Sequence, residues 1–197
     1  MDRSYHPLPS YALGEGAGFR RPAQAQTRVT LESPALDVMT DLTRVNPATI
    51  GPQVPVEGAN QIMMARGVRL LLVIDEQERV LGVISATDVL GERSLRVSTE
   101  RGMRRDELTV ADIMTPAESV EVIALADLAG LHVGHIVSTL VHAGRQHALV
   151  VDEEPGSRRL MVRGILSLSQ VARQLGKPLQ HAEVARTFAE IEAALAG

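Results

Sequence analysis

The sequence predicts a mixed α/β (α+β) protein made of two similar units in tandem. Three motifs recur in the same order: Asp-Val-Met-Thr at 37–40 returns as Asp-Ile-Met-Thr at 112–115, an apolar run ending in Asp75 returns with Asp152, and Gly-Val-Ile-Ser at 82–85 returns as Gly-Ile-Leu-Ser at 164–167. The segments between these motifs alternate between strand and helix patterns. Such a duplication predicts a core shared by the two units and a cleft between them that suits a ligand.

Composition limits both the fold and the chemistry of the chain. Of its 197 residues 45% are hydrophobic but only 2% are aromatic, so the core must be aliphatic. No cysteine is present, which excludes disulfides, thiolate metal sites and cysteine nucleophiles. A net charge of -4 argues against a dedicated nucleic-acid binder. With no secretory signal and no unbroken apolar span, we expect a cytoplasmic protein that does not enter a membrane.

Both ends of the chain lie outside the repeated units. Residues 1–34 are rich in proline and glycine and predict an irregular extension, with a short edge strand at 28–31. Residues 177–197 predict an amphipathic helix, because four apolar side chains fall on one helical face: Val184, Phe188, Ile191 and Leu195. We expect this helix to pack on the domain or on a second subunit.

Each unit is predicted to have the order β-α-β-β-α. In the first unit, residues 35–91, the predicted elements are strands at 43–45, 70–74 and 80–84 and helices at 57–65 and 87–91. The unbroken apolar run at 70–74 predicts burial on both faces of that strand. Gly67 is predicted to end the first helix.

The second unit, residues 110–176, repeats this order. Its predicted elements are strands at 120–123, 148–151 and 160–166 and helices at 133–142 and 170–175. Between the units, residues 92–109 carry arginines and carboxylates in near balance. This mixture of charges predicts a solvated connector.

The last motif of the first unit is the clearest candidate for ligand chemistry. Ser85 follows a buried strand and precedes a short helix, whose first amides have no partner within the helix. A phosphate there would be stabilised by these amides and by the hydroxyls of Ser85 and Thr87. Asp88 lies about one helical turn further, and its carboxylate can accept two hydrogen bonds from the vicinal diol of a ribose.

The same residues also fit a purely structural role. Ser85 and Asp88 have the spacing of a capping box, in which the serine caps the helix and the acid bonds a backbone amide. Ser167 and Gln170 fit the same box in the second unit. One copy of the motif does not distinguish a ligand site from a cap, whereas two copies in corresponding places favour a duplicated site.

These repeated motifs resemble those of the CBS-domain pair, also called a Bateman module. The resemblance rests on the openings at 37–40 and 112–115, on the helix-glycine-strand order at Gly67 and Gly144, and on the closing Gly-apolar-apolar-Ser-x-x-Asp of 82–88. It covers residues 35–176. It implies two CBS repeats packed with pseudo-twofold symmetry, a homodimer, and a regulatory cleft that binds AMP, ADP or ATP without any cofactor.

The resemblance also assigns ligand roles to residues of this chain. It gives the phosphate to Ser85, with Thr87 as a helper, and the ribose diol to Asp88. It gives the base to residues near the first strand of each unit and at the start of the second strand, namely Thr43, Val45, Val120, Val122, Arg69, Gln146 and His147.

The second unit departs from the family pattern, because Gln170 stands where the first unit has Asp88. An amide has one acceptor oxygen and holds a diol less well than a carboxylate does. We therefore expect one competent site at Asp88 and a weak or empty second site at Ser167, Ser169 and Gln170.

No catalytic group or metal site is predicted elsewhere in the chain. There is no P-loop, no dinucleotide fingerprint and no nucleophile triad, so we expect no enzyme activity. His132 and His135 have a spacing that suits zinc, but no acidic or cysteine partner completes a site.

The sequence favours an energy-sensing regulator that passes an adenine-nucleotide signal to an effector protein in trans by conformational change. One alternative is a scaffolding or dimerisation protein whose cleft has lost its ligand and whose Ser-x-x-acid motifs serve only as caps. A weaker alternative is a DNA-linked regulator.

Overall fold

A computed structural model describes residues 12 and 29–176 of the chain. The helices are α1 (Val56–Arg66), α2 (Ala86–Leu90), α3 (Glu92–Arg101), α4 (Val110–Ile113), α5 (Val133–His142) and α6 (Leu168–Gln174). The strands are β1 (Thr40–Asp41), β2 (Thr49–Ile50), β3 (Leu70–Ile74), β4 (Val80–Ser85), β5 (Thr115–Pro116), β6 (Val122–Ala124), β7 (His147–Glu153) and β8 (Leu160–Ser167). None of the described helices is long and apolar enough to cross a membrane.

The strands form two four-stranded sheets, in the orders β2-β3-β4-β5 and β1-β8-β7-β6. β1 of the first unit pairs antiparallel with β8 of the second, and β5 of the second unit pairs antiparallel with β4 of the first. The two units therefore exchange their opening strands, and each sheet is completed by the other unit. The predicted mixed α/β architecture of two similar repeats is confirmed.

The central strand β3 explains how the two units pack. Side chains alternate along a strand, so Leu71 and Val73 join the core beneath the helices of the first unit. Leu70 and Leu72 face the other way and pack with Leu149 of β7, in a cluster that joins the two sheets. Both faces of β3 are buried, as its apolar run predicts.

The ends of the predicted elements agree closely with the structure where local signals are strong. Gly67 follows α1 with φ 64°, a left-handed conformation in which glycine carries no side-chain penalty. α5 spans the predicted residues 133–142, and β3 spans the predicted 70–74. A glycine stop marks the end of α1, and an apolar pattern marks the extent of β3 and α5.

The first predicted strand of the first unit is wrong, because residues 43–45 form a turn. The backbone N–H and the hydroxyl of Thr43 both donate to Asp41 Oδ1, at 2.8 and 2.7 Å, and this local bonding favours a turn over a strand. The strand of this unit lies instead at β2, beyond Pro47. In the second unit the corresponding strand is β6 (Val122–Ala124), which begins two residues later than the predicted strand at 120–123.

The connector at 92–109, predicted to be solvated, has most of its residues exposed but is also folded onto the repeats. Its first part is the helix α3, which packs on α2. Ser94 is 1% exposed and its hydroxyl donates to the carbonyls of Val89 and Gly91, at 3.1 and 3.3 Å. Arg101 at the other end of α3 is ion-paired with Asp112. Arg93, Arg101 and Arg105 of the connector bond to groups of the two repeats, a property that charge balance alone does not reveal.

The predicted edge strand at 28–31 is not formed in its described part, residues 29–31. Val29 instead donates its backbone N–H to the carbonyl of Gln174 at 3.3 Å, which attaches this segment to α6. Residues 1–11 and 13–28 of the N-terminal extension and the predicted C-terminal helix lie outside the described residues.

Candidate functional site

A cavity of about 310 Å³ lies at the seam between the two units. Six of the predicted ligand residues line it: Ser85, Thr87 and Asp88 from the first unit and Val120, Gln146 and His147 from the second. Its volume is at the lower end of the range for small-molecule sites. The structure thus brings the closing motif of one repeat together with strand ends of the other.

Four predicted base contacts are not among the residues that line this cavity. Thr43 and Val45 belong to the turn after β1, and the side chain of Val45 is 48% exposed. Val122 in β6 is 42% exposed. Arg69 precedes β3, where its carbonyl accepts the N–H of Ala86 at 2.9 Å, and it is not among the residues that line the cavity.

Sequence reasoning missed part of the cavity wall. The further lining residues are Leu70, Val83, Thr115, Ser119, Glu121, Gly144, Arg145, Ala148 and Leu149. Most of them are sequence neighbours of predicted residues at the same strand ends, so they could have been found by extending each predicted site along the chain. Thr115 is different, because it reaches the cavity through the strand exchange of β5.

The Asp88 corner, which comprises Ser85, Thr87 and Asp88, is a closed capping box. Asp88 Oδ2 accepts the backbone N–H and the hydroxyl of Ser85, at 2.8 and 2.6 Å, and Ser85 Oγ accepts the N–H of Asp88 at 3.3 Å. The carboxylate therefore bonds back to the start of its own helix. Its side chain is still 17% exposed and lies on the cavity wall. The Asp88 carboxylate thus caps its own helix and also borders the open space of the cavity.

The expected cradle of free amides for a phosphate is largely taken by protein partners. The N–H groups of Ser85, Ala86 and Asp88 are bonded to Asp88 Oδ2, to the carbonyl of Arg69 and to Ser85 Oγ. α2 is only five residues long, so its dipole is small. In this state the Ser85 hydroxyl donates its proton to Asp88 and has none left for a phosphate.

His147 supplies a neutral polar group to the cavity. The pKa of its imidazole is lowered to about 4, mainly by burial and then by the positive charge of Arg69, while the carboxylate of Asp88 opposes both effects. A neutral imidazole offers one donor and one acceptor. Its position matches that of Leu70 in the first unit, since His147 pairs with Ser167 as Leu70 pairs with Ser85.

The Gln170 corner, which comprises Ser167, Ser169 and Gln170, is not a capping box as the sequence predicts. The Ser167 side chain makes no cap bond, and its hydroxyl lies 3.0 Å from that of Ser169. Gln170 Oε1 instead accepts the Thr40 hydroxyl of β1 at 3.0 Å. The longer glutamine side chain reaches across to the exchanged strand, whereas Asp88 bonds within its own helix turn.

Gln170 also lines a second cavity, of about 940 Å³, which does not include Ser167 or Ser169. Asp41 in its wall pairs with Arg163 and with Arg44, the latter at 3.5 Å. Hydrogen bonds from Arg163 and Thr43 hold the pKa of Asp41 well below its usual range. The negative charge of Asp41 and the positive charges of Arg163 and Arg44 therefore offset one another in this wall.

Metal ligation has no support in the described part of the chain, where no three His, Cys, Asp or Glu side chains are grouped closely enough to hold an ion. The rings of His132 and His135 are stacked with centroids 5.6 Å apart. The backbone N–H of His132 donates to Nδ1 of His135 at 3.1 Å, so this pair has a local structural role.

The comparisons with known proteins concern family and fold. Residues 35–94 match the model of the CBS domain. No curated protein matches the sequence. An uncharacterized conserved protein from Pyrococcus horikoshii is similar in structure, with a TM-score of 0.53 and 22% identity over 77% of this chain and 98% of that one.

Two further solved structures contain adenosine compounds. The CBS domain pair of protein MJ0100, in complex with 5'-methylthioadenosine and S-adenosyl-L-methionine, has a TM-score of 0.50 and 19% identity over 74% of this chain and 97% of its own. CBSX2 in complex with AMP has a TM-score of 0.49 and 24% identity over 72% and 94%; CBSX2 comes from Arabidopsis thaliana. At these identities the likeness is one of fold.

Proposed function

Since this chain contains a CBS domain at residues 35–94 and has the fold of a CBS-domain pair, we propose that it is a non-catalytic regulatory module that binds an adenine nucleotide. The proposed site is the cavity of about 310 Å³ between the repeats. The proposed ligand is AMP, ADP or ATP, and the proposed output is a conformational signal to a partner protein.

The position of Asp88 is the observation that carries this proposal. Its carboxylate is partly exposed on a concave wall to which both repeats contribute. A carboxylate in that place can accept hydrogen bonds from the two hydroxyls of a ribose. The Thr87 hydroxyl lines the same wall and is a further polar contact for a nucleotide.

The remaining lining of the cavity suits a purine base. Leu70, Val83 and Leu149 are apolar and line the cavity. Gln146 and the neutral imidazole of His147 add a few polar groups, and each of these side chains can both donate and accept. An adenine ring offers the same combination of an apolar face and an edge of donors and acceptors.

Signalling is supported by the strand exchange. A ligand in the seam contacts both repeats, and each repeat completes the sheet of the other through β1 or β5. Binding energy that differs between two packings of the repeats would shift their populations. This proposal includes three expectations from the sequence: a homodimer, an effector partner and a cytoplasmic location.

A thermal-shift screen tests the proposal, with AMP, ADP, ATP and S-adenosyl-L-methionine as probes. A ligand that binds only the folded state raises the unfolding temperature, by an amount that grows with the logarithm of its concentration relative to its dissociation constant. We expect one adenine compound to raise the melting temperature by several degrees, followed by a 1:1 isotherm in calorimetry. No shift with any probe would reject the nucleotide-binding proposal.

A second candidate function is a ligand-free scaffold. It is favoured by the closed capping box, in which Ser85 and Arg93 already bond the Asp88 carboxylate. In that case the serine and the acid act only as a helix cap. Silence in the thermal-shift screen, together with a stable dimer in solution, would support the scaffold.

A further inference from the structure

One arginine joins the candidate ribose ligand to the second repeat. Arg93 lies in the first turn of α3, and its Nη1 donates to Asp88 Oδ1 at 3.2 Å and to Thr115 Oγ1 at 2.9 Å. Its Nη2 donates to the carbonyl of Met114 at 2.8 Å. Asp88 belongs to the closing motif of the first repeat, and Thr115 belongs to the exchanged strand β5. The guanidinium of Arg93 therefore connects the cavity wall, the strand exchange and α3.

The acceptor capacity of Asp88 is nearly filled in this state. Oδ2 takes two donors from Ser85, and Oδ1 takes one from Arg93. A carboxylate has about four acceptor positions, two on each oxygen. Oδ2 is therefore full and Oδ1 has one open position, so a ribose diol that places both hydroxyls on Oδ1 has to displace Arg93.

Of these three donors Arg93 is the one that can leave most easily. Its bond to Asp88, at 3.2 Å, is the longest of the three, and its side chain is 33% exposed. The Ser85 N–H bond belongs to the helix cap, and its loss would leave a backbone donor without a partner. A partly exposed ion pair contributes little to stability, so its exchange for a neutral diol is inexpensive.

We propose that Arg93 is an exchangeable clasp on Asp88, which a ribose displaces and which thereby passes occupancy of the cavity to α3. This inference rests on the proposed function and names the regulation of the same site. When the diol takes Oδ1, the guanidinium keeps Thr115 and Met114 of the second repeat but loses the first. The start of α3 then loses one of its attachments to the closing motif, and α3 exchanges its amide hydrogens faster.

Calorimetry and hydrogen exchange on the full chain test the clasp. Adenosine and AMP are titrated into the wild type, R93Q, R93K and R96Q, and exchange of α3 is measured with and without AMP. Because R93Q removes the competitor for Oδ1, we expect it to bind adenosine about two- to fivefold more tightly, which corresponds to the free energy of an exposed ion pair. AMP should speed amide exchange in the part of α3 that follows its first turn in the wild type, and R93Q should show fast exchange there with or without AMP.

The control is R96Q, which makes the same change of charge on the same helix. The Arg96 side chain is 69% exposed and pairs only with Glu100, at 3.9 Å, among the contacts of the described residues. R96Q should therefore match the wild type in adenosine affinity and in α3 exchange. R93K keeps the cation but cannot bridge three acceptors in a plane. We expect its α3 amides to exchange at a rate between those of the wild type and R93Q.

Two results would overturn the clasp while leaving the proposed function intact. One is weaker binding of adenosine by R93Q, by threefold or more, which would make Arg93 a ligand contact or a structural support. The other is an α3 exchange rate in the wild type that AMP does not change. If the wild type binds neither adenosine nor AMP, the proposed function and the clasp fall together.

Discussion

The Asp88 corner and the Gln170 corner start from the same motif and end in different structures. Both follow a long strand, both begin a short helix, and both carry serine three residues before the polar side chain. Asp88 bonds back to Ser85, whereas Gln170 bonds across to Thr40 of the other repeat. The difference teaches that the same motif can cap its own helix through a short carboxylate or join the repeats through a longer, neutral amide.

The surroundings of the two corners diverge in the same way. The Asp88 corner faces a cavity with His147 in its wall, and Arg93 supplies it with a cation. The Gln170 corner has neither, and the residue equivalent to His147 is Leu70. A duplicated sequence has thus produced one corner whose own carboxylate lies at the smaller cavity and one whose neutral amide bonds the exchanged strand.

The largest expected difference concerns the glycines three residues before each serine. A Cβ at Gly82 would meet the backbone oxygen of Thr115 at 2.3 Å, whereas at Gly164 it would first meet the flexible side chain of Met39, with Sδ at 2.4 Å. Backbone in β5 cannot yield without losing the strand exchange. We expect Gly82→Ala to lower the free energy of unfolding by about 3 kcal/mol or more and Gly164→Ala by about 1 kcal/mol.

Urea unfolding of both variants measures this difference. Equal losses would show that the two exchanged strands are equally tolerant, and would contradict the packing at Gly82.

The second prediction concerns binding at the two corners. Asp88→Ala removes a charged acceptor from the proposed ribose contact, and we expect at least about a 100-fold loss of affinity for the adenine compound, or about 2.7 kcal/mol. Gln170→Ala should change this affinity little, because Gln170 does not line the smaller cavity. Calorimetry on both variants decides the matter, and equal loss from both would refute the asymmetry.

The third prediction uses pH to separate His147 from Leu70. The pKa of His147 is lowered to about 4 in the folded state against 6.5 for the free side chain. As pH falls from 6.5 towards 4 the unfolded chain takes up the proton first, so the folded state loses stability. We expect a loss of about 2 kcal/mol over this range, with allowance for the solvent that reaches the ring.

His147→Leu copies the residue of the first repeat and should remove most of this slope in urea unfolding at pH 6.5, 5.5 and 4.5. The carboxyls of Asp75 and Asp112 have pKa values lowered by hydrogen bonds, so their contribution is lost only below about pH 4. An unchanged slope in the variant would assign the pH dependence to other groups.

The smallest expected effect separates the two serines. Ser85→Ala removes a real cap bond and should cost about 1 kcal/mol of unfolding free energy. Ser167→Ala removes a side chain that makes no cap bond, and should change stability by less than about 0.5 kcal/mol. If thermal unfolding shows the reverse order, the two corners have been assigned the wrong roles.

Much of the fold could be predicted because its signals are local. The apolar run of β3, the helical period of α5 and the glycine after α1 each act within a few residues. The cavity could be predicted in part, since the repeat order brings Asp88 and His147 to one seam. The turn at 43–45 was missed because a side chain, Asp41, competes with strand pairing there.

By itself, the sequence determined that the chain holds two like α/β units, that Ser85 and Asp88 form a polar corner, and that Gln170 breaks the symmetry. Only the tertiary structure decided which donors fill those corners. Arg93, Thr40 and Thr115 arrive from the connector helix and from exchanged strands. Hydrogen-bond capacity depends on every group within reach in space, and no local pattern in the chain encodes which distant group that will be.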